Sequence, residues 1–201
     1  MKSFINKNDD EFLIEMWDSL KKLYATVKEN KHLDYVRKVP IGYHIDVNID
    51  IPGFSIIKNL KNYFNHSKYN QGMSYLEIKK PGWSKHLDGT STEPNKIYTG
   101  SCVWPIENYG LDNITSWYKQ TKGDYIFNNH DSSGQINGGY WEFTEDSEFD
   151  LIDETCVNVP HIIRTDIPHS VNAPESTRVV CSYKLGTTDQ ISWEDVYKKY
   201  E

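Results

Sequence analysis

The stretch "DIPHSVNAPESTRVVCSYKL", Asp166 to Leu185, decides the fold. His169 follows a proline near the end of a polar-apolar run, and nine residues later Arg178 opens a strand-like alternation. Asn172 and Pro174, between them, are turn formers. The expected arrangement is a strand ending on a histidine, a short hairpin turn, and a strand beginning on an arginine. On neighbouring strands the two side chains lie close together. A guanidinium beside an imidazole holds it neutral, the form that binds metals. The arginine in turn needs an anion, either a ligand or a protein carboxylate such as Asp166 or Glu175.

Similar short alternating runs, broken by Gly, Pro, Asn and Asp, begin near Gly72. Strands are expected near residues 73–80, 86–88, 97–105, 115–118, 124–128, 149–157, 161–167 and 178–185. That spacing predicts an antiparallel sandwich or barrel. "NNHDSSGQINGG" (128–139) reads as a polar loop; Gly134, Gly138 and Gly139 permit a lid, and a passive loop fits equally well. Before the β region, residues 9–29 place apolar side chains at three- and four-residue steps, which predicts a helix capped by Asn8 or Asp9. A second helix is expected over 55–64, and "SWEDVYKKY" (192–200) predicts a short one capped by Ser192. The chain thus divides into an N-terminal helical support region (1–69), a β core (70–186) and a C-terminal helix (187–201), within one structural domain.

Aromatic residues are 13% of the 201, with fourteen tyrosines and six tryptophans, so the core is expected to be aromatic as well as aliphatic. Trp83, Trp104, Trp117 and Trp141 are read first as core and second as an entrance lining. The net charge of -7 argues against nucleic acid or anionic membrane as a partner, since both need a basic face. No apolar run reaches the roughly 18 residues of a membrane span. Cys102, Cys156 and Cys181 match no zinc or redox spacing and are read as reduced thiols; with no apolar leader visible, a cytoplasmic location is expected.

His-x-Asp occurs twice. In "YHIDVNIDI" (43–51) the pair His44 and Asp46 lies on the polar face of a half-buried strand and reads as an ordinary wet face. In "KKPGWSKHLDG" (79–89) the pair follows a Pro-Gly turn. A strand's period of two points His86 and Asp88 the same way, onto adjacent corners of a coordination shell. His161 and His169 are the candidates for a third ligand, and only His169 has an arginine a short turn away. Two histidines and one aspartate make a facial triad, which leaves positions open on Fe(II) for a chelating co-substrate and dioxygen.

With these residues the chain resembles the 2-oxoglutarate- and Fe(II)-dependent oxygenases. "PGWSKHLDG", "PHSV" and "RVVCSYKL" look like that superfamily's metal and co-substrate strands, and "SCVWPIENYGLDNITSWYK" (101–119) looks like the middle strands of its prolyl- and aspartyl-hydroxylase-like branches. The resemblance covers roughly residues 70–186 and implies a mainly β fold with flanking helices, a double-stranded β-helix (jelly-roll, cupin-like). It implies that His86, Asp88 and His169 bind Fe(II), and that Arg178 holds the distal carboxylate of 2-oxoglutarate. Many members carry a Ser or Thr two residues after that arginine; here it is Val180, and Tyr98, Ser182 or Tyr75 are the replacements considered, Tyr98 first. The implied reaction is hydroxylation of a small-molecule or peptidyl substrate by dioxygen, with a free amino-acid or peptidyl side chain the first expectation. Two other readings stay open: a metal-dependent barrel that does not use 2-oxoglutarate, and a non-enzymatic jelly-roll binding or viral structural protein.

Overall fold

The computed structural model describes residues 1–30, 33–39, 41–46, 51–64, 73–89, 96–128, 140–173 and 176–201. The loop expected at 128–139 lies outside these beyond Asn128, as do Val47 to Asp50, Pro174 and Glu175. Among the described residues the chain is mainly β: two antiparallel sheets face each other, and helices cover the outer side of one.

The first sheet runs in the order β1 (Phe4–Asn6), β11 (His161–Arg164), β6 (Gly100–Glu107), β13 (Arg178–Lys184), β4 (Met73–Ile78), β3 (Gly42–Ile45), β2 (Val36–Val39). The second runs β10 (Glu148–Cys156), β7 (Ile114–Lys122), β12 (His169–Asn172), β5 (Gly82–Asp88), β9 (Tyr140–Phe143), β8 (Tyr125–Asn128). Helices α1 (Glu11–Glu29), α2 (Ile56–Phe64) and α3 (Trp193–Tyr200) lie close to where the periodicity placed them. The cap of α1 is Asp10 rather than Asn8 or Asp9: its carboxylate accepts from the Leu13 N–H at 3.0 Å and also from the Tyr63 hydroxyl of α2. Ser192 caps α3 as expected.

One large apolar cluster joins Leu13, Leu20 and Leu23 of α1, Leu60 of α2 and Trp193 of α3 to the outer face of the first sheet. Trp104 of β6 donates its indole N–H to the Leu13 carbonyl at 3.0 Å, and the Tyr75 hydroxyl of β4 donates to the Leu20 carbonyl at 2.7 Å. Two buried aromatics therefore satisfy their polar atoms by fastening α1 to the sheet. A second, smaller cluster (Ile78, Val103, Trp117, Val157, Ile163, Ala173 and Val180) fills the space between the sheets. Trp104 and Trp117 are core, as the first reading of the tryptophans had it.

Three features depart from expectation. The N-terminal region adds strands β1 and β2 to the one expected from residue 43, whose start is β3, and together they extend the first sheet at both ends. The run expected at 161–167 stops at Arg164, and His169 opens a new strand instead of closing an old one. Most consequentially, β12 and β13 do not form a hairpin. They belong to opposite sheets, so the link after Asn172 carries the chain across the sandwich. Asn172 ends β12 and Pro174 lies outside the described residues, and local turn chemistry does not encode which sheet the next strand joins.

Gly82 begins β5 with φ +110, and its partner across the ladder is Asn172 of β12. A Cβ there would stand 2.0 Å from the Val171 carbonyl oxygen. Gly82→Ala is therefore expected to cost at least about 1–3 kcal/mol, for forced backbone at a strained position. Urea unfolding checks this; a midpoint equal to the wild type would contradict it.

Candidate metal centre

The register of β12 against β5 sets His169 directly opposite His86. Directly paired residues point to the same sheet face, here the inner one. Asp88, two residues after His86, shares that face by the strand period. The two imidazole centroids are 4.3 Å apart. Asp88 Oδ1 lies 3.6 Å from His86 Nε2 and 3.9 Å from His169 Nε2. One ligand atom from each of the three residues falls within 4.8 Å of the others, close enough to hold a single metal ion. Both histidines are buried, at 7% and 2% exposure.

The tautomers follow from the backbone. His86 Nδ1 lies 2.7 Å from the Ser84 carbonyl, and His169 Nδ1 lies 3.0 Å from the Ile167 carbonyl. A carbonyl only accepts, so each Nδ1 carries the proton and each Nε2 presents a lone pair to the centre. This is the outer-shell arrangement that orients metal-binding imidazoles. Two nitrogen donors and one carboxylate oxygen on one side suit a divalent first-row metal.

The charges also fit. Burial alone would raise the Asp88 carboxyl, but Lys184, His169 and His86 overcome it and hold the group well below the usual carboxylate range. Lys184 is the ion-pair partner of Asp88 Oδ2, so only Oδ1 faces the imidazoles. His169 is pushed down to about 4, first by burial and then by His86, against the pull of Asp88. Arg178 is not what holds His169 neutral: burial, His86 and, from the same strand as Arg178, Lys184 do so.

The cluster sits in a cavity between the sheets, with about 470 Å³ of empty space counting its open mouth. Arg178, Val180, Ser182 and Lys184 line one wall at the period of two along β13, and Leu76, Ile78 and Val103 flank them. Trp83, Thr115 and Val171 stand opposite. Arg178 is 1% exposed, and its Nε and Nη1 have no hydrogen-bond partner among the described residues. Burial lowers its pKa to about 10, with Cys156 opposing. Asp166 is not its counter-ion, since that carboxylate pairs with Arg164.

The other candidates separate cleanly. Tyr98 is buried beneath Lys184, whose ammonium lies 5.5 Å from its ring centroid, and its hydroxyl is pushed up to about 12 by burial and by Asp88. It is not among the cavity-lining residues, whereas Ser182 is. Tyr75 faces α1 on the far side of the sheet. His44 is half-buried and bonds Ser74 Oγ at 3.1 Å, apart from the metal cluster. Sequence reasoning missed Lys184. Its signal was the alternation Arg178, Val180, Ser182, Lys184, which carries polar side chains onto an inward face. Cys102, Cys156 and Cys181 are free thiols, and among the described residues no helix is long and apolar enough to cross a membrane. The chain matches no protein-family model and no curated protein.

In the metal-free protein, His169 titrates near 4, against about 6.5 in an unfolded chain. Between those values the unfolded chain binds a proton that the folded one refuses. Stability therefore rises with pH across the window and is lost as pH falls from about 6.5 toward 4, by on the order of 3 kcal/mol. Urea unfolding at several pH values in the presence of chelator should show this slope in wild type and a flatter one in His169→Asn. Equal slopes would refute the assignment.

Proposed function

We propose that the protein is a non-haem Fe(II) oxygenase that couples decarboxylation of 2-oxoglutarate with hydroxylation of a substrate C–H bond. In this reading the sheets are the two halves of a double-stranded β-helix: β4, β13, β6 and β11 face β5, β12, β7 and β10. The observation that carries the proposal is the buried Arg178, whose Nε and Nη1 have no partner among the described residues, in the same cavity as the His86, Asp88 and His169 cluster. A guanidinium kept out of water without an anion is costly, and a carboxylate matches its planar fork. A metal at one end and a buried cation at the other describe a ligand with a chelating head and an anionic tail.

Each group then has a role. His86, Asp88 and His169 hold the metal, leaving the remaining coordination positions to co-substrate and dioxygen. Lys184 occupies Asp88 Oδ2 and keeps the carboxylate monodentate. Arg178 grips the distal carboxylate of 2-oxoglutarate. Leu76, Ile78, Val103, Val157 and Val180 enclose its two methylenes and exclude water. Bound iron supplies dioxygen activation: one oxygen atom enters succinate, the other enters the substrate alcohol, and CO2 leaves. The substrate class proposed is a free amino-acid or peptidyl side chain.

The test is anaerobic addition of Fe(II) and then 2-oxoglutarate, reading the visible charge-transfer band of the chelate. Wild type is expected to develop the band, and His86→Ala is expected to lose it. Arg178→Ala should need at least about tenfold more 2-oxoglutarate, the effect of losing a charge-assisted hydrogen bond. A band in Arg178→Ala at the wild-type concentration would leave a metal site that chelates the keto acid but remove Arg178 as the anchor of its distal carboxylate; no band in wild type would remove 2-oxoglutarate as co-substrate.

A further inference from the structure

Three histidines in this chain share one local device. His161 Nδ1 lies 2.8 Å from the Val159 carbonyl, just as His86 and His169 are bonded to the carbonyls two residues before them. Each therefore keeps its proton on Nδ1 and bares a lone pair at Nε2. For His86 and His169 that lone pair faces the metal centre. His161 has 0% exposure, yet its Nε2 has no partner among the described residues.

The fold shows where this acceptor is directed. His161 of β11 pairs with Val103 of β6, and Val103 pairs with Ser182 of β13. Cross-strand partners share a face, and Val103 and Ser182 both line the cavity. His161 thus stands on the cavity side of the first sheet, two residues before Ile163, which lines the cavity while His161 lies behind the lining. Arg178 is buried on the same side with Nε and Nη1 unpartnered. Arg178 also acts on the imidazole: burial lowers the His161 pKa, the Val159 carbonyl opposes, and the guanidinium adds to the lowering. In the structure neither group is bonded to the other or to any described residue, so a buried acceptor and buried donors stand unsatisfied on one side of one sheet and are complementary to each other.

We infer that His161 is a positioning residue for Arg178, its Nε2 accepting from the guanidinium and so aiming the rest of the fork at the distal carboxylate of the co-substrate. The inference rests on the oxygenase reading and names a residue that reading does not require. A carboxylate takes two of the five guanidinium N–H groups, so the inner ones still need an acceptor. His161 is neutral where it sits and accepts without competing for the anion.

The experiment titrates the Fe(II) protein anaerobically with 2-oxoglutarate and, separately, with 2-oxobutyrate. The latter has the same chelating head and no distal carboxylate. His161→Phe is expected to weaken 2-oxoglutarate by about tenfold, the loss of one hydrogen bond to a charged group, and to leave 2-oxobutyrate unchanged. His161→Gln, whose side-chain carbonyl restores an acceptor, should stay within about threefold of wild type. In an Arg178→Met background His161→Phe should add nothing, because the two changes remove the same interaction. If His161→Phe does not fold, His161→Leu takes its place. Unchanged 2-oxoglutarate binding in the apolar variant, or equal weakening of both keto acids, would overturn the inference while leaving the oxygenase reading intact. No band from either keto acid in wild type would overturn both.

Discussion

The constraint on which the rest depends is the ladder between β5 and β12. Opposing His86 to His169 in that register fixes two imidazoles 4.3 Å apart before any metal arrives. Because strand side chains alternate, a slip of one residue would turn one imidazole out of the sandwich and replace it with a neighbour. The register is defended from both sides, since β12 also pairs with β7 and β5 with β9. Gly82 admits the close approach of Val171 at the end of the same ladder.

Much of the centre was legible because strand geometry is local. The period of two puts His86 and Asp88 on one face wherever the strand goes, and the apolar steps of 9–29 give a helix whatever it packs on. What needed the structure was everything non-local. Turn formers after Asn172 are visible in the sequence, but the assignment of β12 and β13 to opposite sheets depends on the strands that flank each of them. The same holds for charge. The neutral state of His169 was anticipated for the wrong reason, because burial and His86 set it. His161 reads in sequence as a rejected third ligand. Only its full burial, with one nitrogen bonded and the other bare, gives it another role.

The cavity holds two kinds of polar chemistry in a wall of mixed apolar and hydroxyl side chains. At one end, Lys184 and two imidazoles surround a carboxylate that burial alone would push toward the protonated form. At the other, Arg178 lies among Ile78, Val157 and Val180, with burial opposing its charge. Unpaired charge in such surroundings is destabilising, and proteins retain it where a ligand completes it.

One strand, β13, supplies both Arg178 and Lys184, six residues apart. At roughly 3.3 Å per residue their Cα atoms are separated by about 20 Å along a single extended backbone. That strand is hydrogen-bonded on both sides, to β6 and to β4. It therefore behaves as a ruler clamped along its length. Two cations carried on separate loops could drift apart, but these cannot. Any change in the space between Arg178 and Lys184 must come from exchanging side chains along the scale, at Val180 or Ser182, and not from sliding the scale itself.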